Sequence, residues 1–101
     1  MNYVDVLARD IYRRTGETDE PSEKDMLLYR MYALLGLVVG ADVTNEHVHD
    51  AWAAWTATYR PDHHSLVPFD ALAPDVQDLD ALYRDAIRAA VEQAQPREES
   101  V

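Results

Sequence analysis

Nearly every side chain that could do chemistry lies between His47 and Phe69. The stretch holds His47, His49, His63 and His64, both tryptophans (Trp52 and Trp55), Arg60, Asp62, Ser65 and the single phenylalanine. An imidazole can bind a metal or move a proton. An indole can stack on a planar ligand and offers one N–H donor. A guanidinium can meet an anion such as phosphate. Spacing narrows these options. His47 and His49 are two residues apart on a helix, so they point about 200° apart and cannot chelate one ion together. His63 and His64 are neighbours in a loop, and no spacing requires either to meet His49 or Asp50. Structural zinc announces itself with four ligands at regular intervals, a pattern this chain lacks, so no metal is expected. Asp62-His63-His64 spells the tripeptide of a phosphoesterase family, without that family's other metal-binding motifs. Ser65 follows His64 but lies on no glycine-flanked elbow. There is no cysteine and no glycine-rich phosphate loop. No catalytic residue and no cofactor are assigned, and the protein is expected not to be an enzyme.

Trp52 and Trp55 are three apart, hence on overlapping helix faces. They can anchor a core or offer a stacking platform. Tyr29, Tyr32, Tyr59 and Tyr83 could line the same space, and their hydroxyls need partners if buried. Arg60 can pair with Asp62 or face a ligand anion. His64 can order the loop or touch the ligand.

The elements that must position these residues are helical. The spacing predicts helix one over about Asn2 to Arg14, with Val4, Leu7, Ala8 and Ile11 on one stripe. Asp5–Arg9 and Asp10–Arg14 have ion-pair spacing, and Gly16 suits the left-handed end. Ser22 reads as an N-cap, with Asp25 as a variant of the capping box. Helix two follows to about Val39. Leu27, Leu28, Met31, Leu34, Leu35 and Val38 form its apolar face, widened by Tyr29, Tyr32 and Val39; such a helix belongs in the middle of a bundle. Gly36 would let a neighbour approach closely. Thr44 caps helix three, Asn45 to Tyr59, with Val48, Ala51, Trp52, Trp55 and Tyr59 on one side, and Pro61 stops it. Residues 62–68 form a loop, and 68–72 a short turn. Pro74 opens helix four, which runs to about Gln95 with Val76, Leu79, Tyr83, Ala86, Ile87, Ala90 and Val91 as its stripe. Asp80 has pairing distance to Arg84. The expected architecture is an all-α, four-helix single domain over 1–95, with a His/Pro-containing corner between helices three and four and a frayed charged tail over 96–101.

Composition limits the partners. Nine basic residues against 19 acidic ones make a formal charge of −10. Nucleic-acid binders neutralise phosphates with clustered Lys and Arg, so no nucleic acid is expected. Anionic membrane is disfavoured for the same reason. The N-terminus has no basic-then-apolar signal segment, and a cytoplasmic location is expected.

The pattern His49-x-x-Trp52, then His64-Ser65-Leu66-Val67-Pro68-Phe69-Asp70-x-Leu72, then Gln77-x-x-Asp80-x-x-Tyr83 resembles the ryanodine-receptor-type repeat (RyR) domain over about residues 43–91. Ser65 stands where that family has a proline, and residues 56–62 compress a longer glycine-rich segment. Members include repeats of an animal calcium channel and small proteins of bacteria and phages, some linked to nucleotide-like ligands. The resemblance implies ligand-binding roles for Trp52, Trp55, Arg60 and His64, with His49 as part of the signature. The expected function is a small non-catalytic module binding a nucleotide or nucleotide-derived signal. The alternative is a protein-interaction subunit or small homodimer, joined through the wide apolar surface of helix two at Tyr29, Tyr32 and Val39.

Overall fold

In a computed structural model that describes residues 2–94, the fold is all-α. Asn2 caps α1 (Tyr3–Arg14), its side chain accepting from the Asp5 N–H at 2.8 Å. α1 ends at Thr15, and Gly16 takes a φ of 99° while its N–H donates to Arg13 O. Ser22 caps α2 (Glu23–Val39) by accepting from the Asp25 N–H. The reciprocal bond of a capping box is not formed, and the Asp25 carboxylate turns elsewhere. α2 closes on Gly40, whose φ of 78° and ψ of −149° suit only glycine.

α3 (Asn45–Tyr59) opens with a reciprocal cap. Thr44 Oγ1 accepts from the His47 N–H at 3.2 Å, and His47 Nδ1 accepts from the Thr44 N–H at 3.0 Å. This cap occupies His47. After the loop, Phe69–Ala71 makes a 3-10 turn, and Pro74 starts α4 (Pro74–Gln77). A 3-10 turn over Asp78–Asp80 joins α4 to α5 (Ala81–Ala94). Asp78 and Ala81 keep right-handed helical dihedrals, so α4 and α5 form one rod. The expected four helices are therefore present. The tail expected to fray lies outside the described residues.

α2 sits centrally and packs on α1, α3 and α5. The fully buried centre includes Ile11, Val43, Val48 and Ile87, each stabilising by roughly 1.5–3 kcal/mol relative to exposure. The face that α2 buries matches the expected one at Leu28, Tyr29 and Tyr32, with Met31, Leu35 and Val39 packed against the core, but not at Leu27, Leu34 and Val38. Met26, Leu28, Tyr29, Tyr32, Ala33 and Gly36 turn inward. Leu27, Leu34, Leu37 and Val38 are exposed, Val38 to 74 %. α2 is apolar nearly all round, so periodicity cannot select its inner face. Gly36 selects it: a Cβ built there would overlap Cγ2 of Val91 and stand 3.2 Å from Cγ2 of Ile87. α5 packs closely on α2 at that point. The tyrosines then fall inside, so Tyr29 and Tyr32 cannot form the outward interface the alternative reading assigned to them.

One of the two ion pairs expected on α1 is also re-sorted. Asp5 accepts from Arg30 Nε at 2.6 Å instead of from Arg9, and Arg9 pairs with Glu20. Asp10–Arg14 forms as spaced, at 3.1 Å. The exchange knits α1 to α2 and to the acidic connector, a gain that i, i+4 spacing cannot reveal. Among the described residues, no helix is long and apolar enough to cross a membrane.

Candidate functional site

A half-open cleft of about 820 Å³ lies between the α1–α2 connector, α2, α3 and the α4–α5 rod. A row of rings lines it. Tyr12 meets Tyr29 edge-on at 5.0 Å, Tyr29 meets Tyr32 edge-on at 5.3 Å, and Tyr32 lies 5.8 Å from Tyr83. Trp52, His49 and His63 continue the row from the α3 side. Leu28, Leu72, Val76, Leu79 and Leu82 supply apolar wall. Four carboxylates complete it: Glu17, Asp19, Asp25 and Asp80. Neither lysine nor arginine is among the described lining residues.

Helical spacing explains the row. Tyr29 and Tyr32 are three apart on α2 and share a face. Gly36, one turn further on, brings α5 close enough to set Tyr83 beside Tyr32. The corner after α3 is fastened from α3 itself. His49 is 3 % exposed, and its Nε2–H donates to Val67 O at 2.7 Å. Its ring stacks on Trp52 at 5.7 Å and leans on Phe69 at 6.1 Å. Gln77 Nε2 donates to Phe69 O at 2.9 Å, and Asn45 Nδ2 donates to Gln77 O at 3.2 Å. The corner thus hangs between α3 and α4.

His63 reaches the cleft and stands edge-on to Trp52 at 5.2 Å. Its Nδ1 accepts from the Ser65 N–H at 3.0 Å, so the proton of the neutral ring sits on Nε2. Partial burial, then the nearby charges of Arg60 and His64, hold its pKa below 6.5. Tyr12 donates to Asp19 Oδ1 at 2.8 Å, and that hydrogen bond, with burial, pushes its pKa up to about 12. Burial pushes Tyr29 up to about 12 as well, and raises Tyr32 further. Burial also raises the Asp80 carboxyl, against the opposing pull of His49. Asp80 does not meet Arg84, contrary to its spacing. Arg84 turns to Asp85 Oδ1 at 2.9 Å and to Asn45 Oδ1 at 3.1 Å.

Of the residues singled out from the sequence, His49 and Trp52 line the cleft; Trp55, Arg60 and His64 do not. Trp55 points to the start of α2, where its Nε1–H donates to Lys24 O at 2.9 Å. Tyr59 packs beside it, and Lys24 Nζ sits 4.5 Å from the Tyr59 ring centre. This is a clip between α2 and α3 beside a second hollow of about 570 Å³. Arg60 caps α3 with its backbone, and its exposed side chain forms no ion pair with Asp62. His64 stacks outside on His63 at 4.7 Å. Tyr29, Tyr32 and Tyr83 do share Trp52's space; Tyr59 does not.

Sequence reasoning missed His63, Asp25 and Asp80. His63 and His64 are indistinguishable by spacing. Each aspartate had a local role at hand, a cap or an ion pair, that the fold declines. Asp80's place in a 3-10 turn decides its direction, and no residue type marks that turn in advance.

The fold and the cleft define a small all-α domain with an aromatic, acid-lined hollow of ligand size. The chain belongs to the family described as Domain of unknown function (DUF7701), whose model matches residues 2–92. No curated protein and no solved structure matches it. The family match overturns the RyR resemblance, which rested on residues 43–91 alone. α1 and α2 belong to the matched domain and supply much of its core. The residues behind the resemblance have local explanations: His49 holds Val67, Gln77 holds Phe69, and Tyr83 packs on Tyr32. The bacterial or phage origin and the ligand roles that rested on the resemblance lose that basis.

Proposed function

We propose that this domain is a non-catalytic binding module whose cleft between α2, α3 and the α4–α5 rod takes a small ligand. One observation carries the reading: a hollow of about 820 Å³ is lined by aromatic rings instead of being filled by them. Ligand sites are concave, largely apolar, of roughly 300–1,000 Å³, with a few polar groups that orient the ligand. Here the polar groups are Tyr hydroxyls, His63 Nε2 and carboxylates. Ser65 and His63 both line the cleft, but the bond between them runs from the Ser65 backbone N–H to His63 Nδ1, which occupies the nitrogen that could act as base and favours binding over turnover. A nucleotide is the ligand class expected from the sequence. In this cleft its phosphate would face Asp19, Asp25 and Asp80, with Arg60 and His64 both elsewhere. The lining favours a ligand that is not anionic.

A thermal-shift screen of the full chain against purine nucleotides, neutral nucleosides and organic cations tests the reading. A ligand that binds only the folded state at a hundred times its Kd stabilises by about 2.7 kcal/mol. The expected result is a raised Tm that Trp52→Ala abolishes. If no compound shifts Tm at millimolar concentration, the cleft is not a ligand site.

The exposed stripe of Leu34, Leu37 and Val38 on α2 supports a second reading, self-association. Light scattering after size exclusion would then give a dimer that Leu34→Glu dissociates; a monomer at high concentration excludes it.

A further inference from the structure

We infer that the cleft binds an organic cation, specifically an elongated aliphatic di- or polyamine whose ammonium groups meet Asp25 at one end and Asp80 at the other. This rests on the reading of the cleft as a ligand site and specifies its ligand.

Charge is the first ground. The cleft carries four carboxylates and no lysine or arginine among its described lining residues. Asp80 and Asp25 make no side-chain hydrogen bond or ion pair among the described residues, although Arg84 is within sequence reach of Asp80. A half-buried carboxylate without a partner is unfavourable in the empty protein and becomes favourable when a cation arrives.

The rings are the second ground. An ammonium over the face of Tyr or Trp is attracted by the ring quadrupole, by roughly 0.5–2 kcal/mol per contact. Trp52 and Tyr83, both half-buried, are the lining rings with surface left for such a contact, and the aliphatic links of a polyamine suit the apolar wall of Leu28, Leu72, Val76, Leu79 and Leu82.

Tyr32 is the third and is independent of charge. Its side chain is 2 % exposed, yet it lines the cleft. Its hydroxyl has no hydrogen-bond partner among the described residues. It is also absent from the sealed unpartnered atoms, which are Arg9 Nε and Thr56 Oγ1. A hydroxyl that is not sealed, on a ring that lines the cleft, can bond to a ligand that reaches it. The phenol oxygen can accept, and an ammonium, with three N–H donors, can supply that bond.

Shape selects the elongated form. Asp25 lies one helical turn before Tyr29 on α2, whereas Asp80 lies one turn before Tyr83 on the α4–α5 rod, and Tyr83 packs on Tyr32 at 5.8 Å. The two carboxylates thus act on opposite ends of the ring row. From Asp25 to Tyr32 α2 rises about 10 Å, too far for one compact ammonium to serve both ends.

The test is isothermal titration of the full chain, at fixed ionic strength, with spermidine, 1,4-diaminobutane, tetramethylammonium, a lysine-bearing peptide and adenosine monophosphate. Spermidine is expected to bind best, at submillimolar Kd. Asp80→Asn and Asp25→Asn should each weaken it about tenfold or more, and Tyr32→Phe several-fold, without loss of Tm. Glu92→Gln, an exposed change of the same charge away from the cleft, should leave it unaltered. Equal weakening by Glu92→Gln would reduce the effect to general attraction to an acidic protein and overturn the inference. Tighter binding of the lysine-bearing peptide would overturn it too, in favour of a protein partner. Binding of adenosine monophosphate alone, lost with Trp52→Ala, would sink the cation inference and leave the ligand cleft standing. No binding by any probe would sink both.

Discussion

Gly36→Ala isolates the contact that decides which face of α2 turns inward. In a helix the change alone gains about 1 kcal/mol of propensity. Against this, the new Cβ would overlap Cγ2 of Val91 and press on Cγ2 of Ile87 at 3.2 Å. Both neighbours are β-branched, and such side chains hold one χ1 rotamer strongly in a helix. Neither can swing aside cheaply, so α5 must back away. Overpacking of this kind costs about 1–3 kcal/mol, which offsets the gain and leaves a net loss of up to about 2 kcal/mol. For a domain of this size each kcal/mol moves Tm by about 4–8 °C. The assay is urea unfolding followed by circular dichroism, for Gly36→Ala, Val91→Ala and the pair. Val91→Ala opens a void that the new methyl enters. In that background Gly36→Ala should be neutral or stabilising. The coupling energy should be about 2 kcal/mol, within the range for contacting residues. A Gly36→Ala protein more stable than the parent, or a coupling below about 0.5 kcal/mol, would refute the close α2–α5 approach and the Tyr32–Tyr83 pairing that depends on it.

Gly40→Ala should destabilise by about 1–3 kcal/mol from backbone strain alone, because a Cβ there touches nothing within 4 Å; equal stability on denaturant unfolding would contradict the φ of 78°. Trp55→Phe should lose about 1–2 kcal/mol through the Lys24 carbonyl bond and the stacked ammonium, while ligand affinity at the cleft stays the same by titration. His63 favours its neutral form in the fold, so the unfolded chain takes up that proton first. Its contribution to stability is intact above pH 6.5 and falls as pH drops from there through the lower folded pKa. His63→Gln should flatten the pH–stability curve in that window only. Asp5, Glu20 and Asp85, whose carboxyls are lowered by arginine partners, should still produce a loss below about pH 4.5.

Much of the fold was legible because its signals are local. N-caps at Ser22 and Thr44, the proline at the head of α4 and the 3.6-residue stripes of α1 and α5 each act within a turn or two of chain. These signals place four helical rods and the bend between the third and the last. They stop where more than one local solution exists. Asp5 can reach Arg9 or Arg30, Asp80 can reach Arg84 or the cleft, and α2 offers apolar side chains in every direction. Trp52 and Trp55 share a helix face in projection, yet one turns to the cleft and the other to the head of α2.

The sequence by itself therefore determined the class of fold, the helix limits and the aromatic wealth of the chain, since each is set by short-range sterics and by the spacing of apolar groups. Only the tertiary structure decided that the tyrosine face of α2 points inward, that His63 and not His64 meets Trp52, and that carboxylates without cations surround the hollow. Those outcomes depend on how closely α5 can approach α2 at Gly36 and on which long-range partner each charged side chain reaches first, quantities that exist only once the helices are packed together.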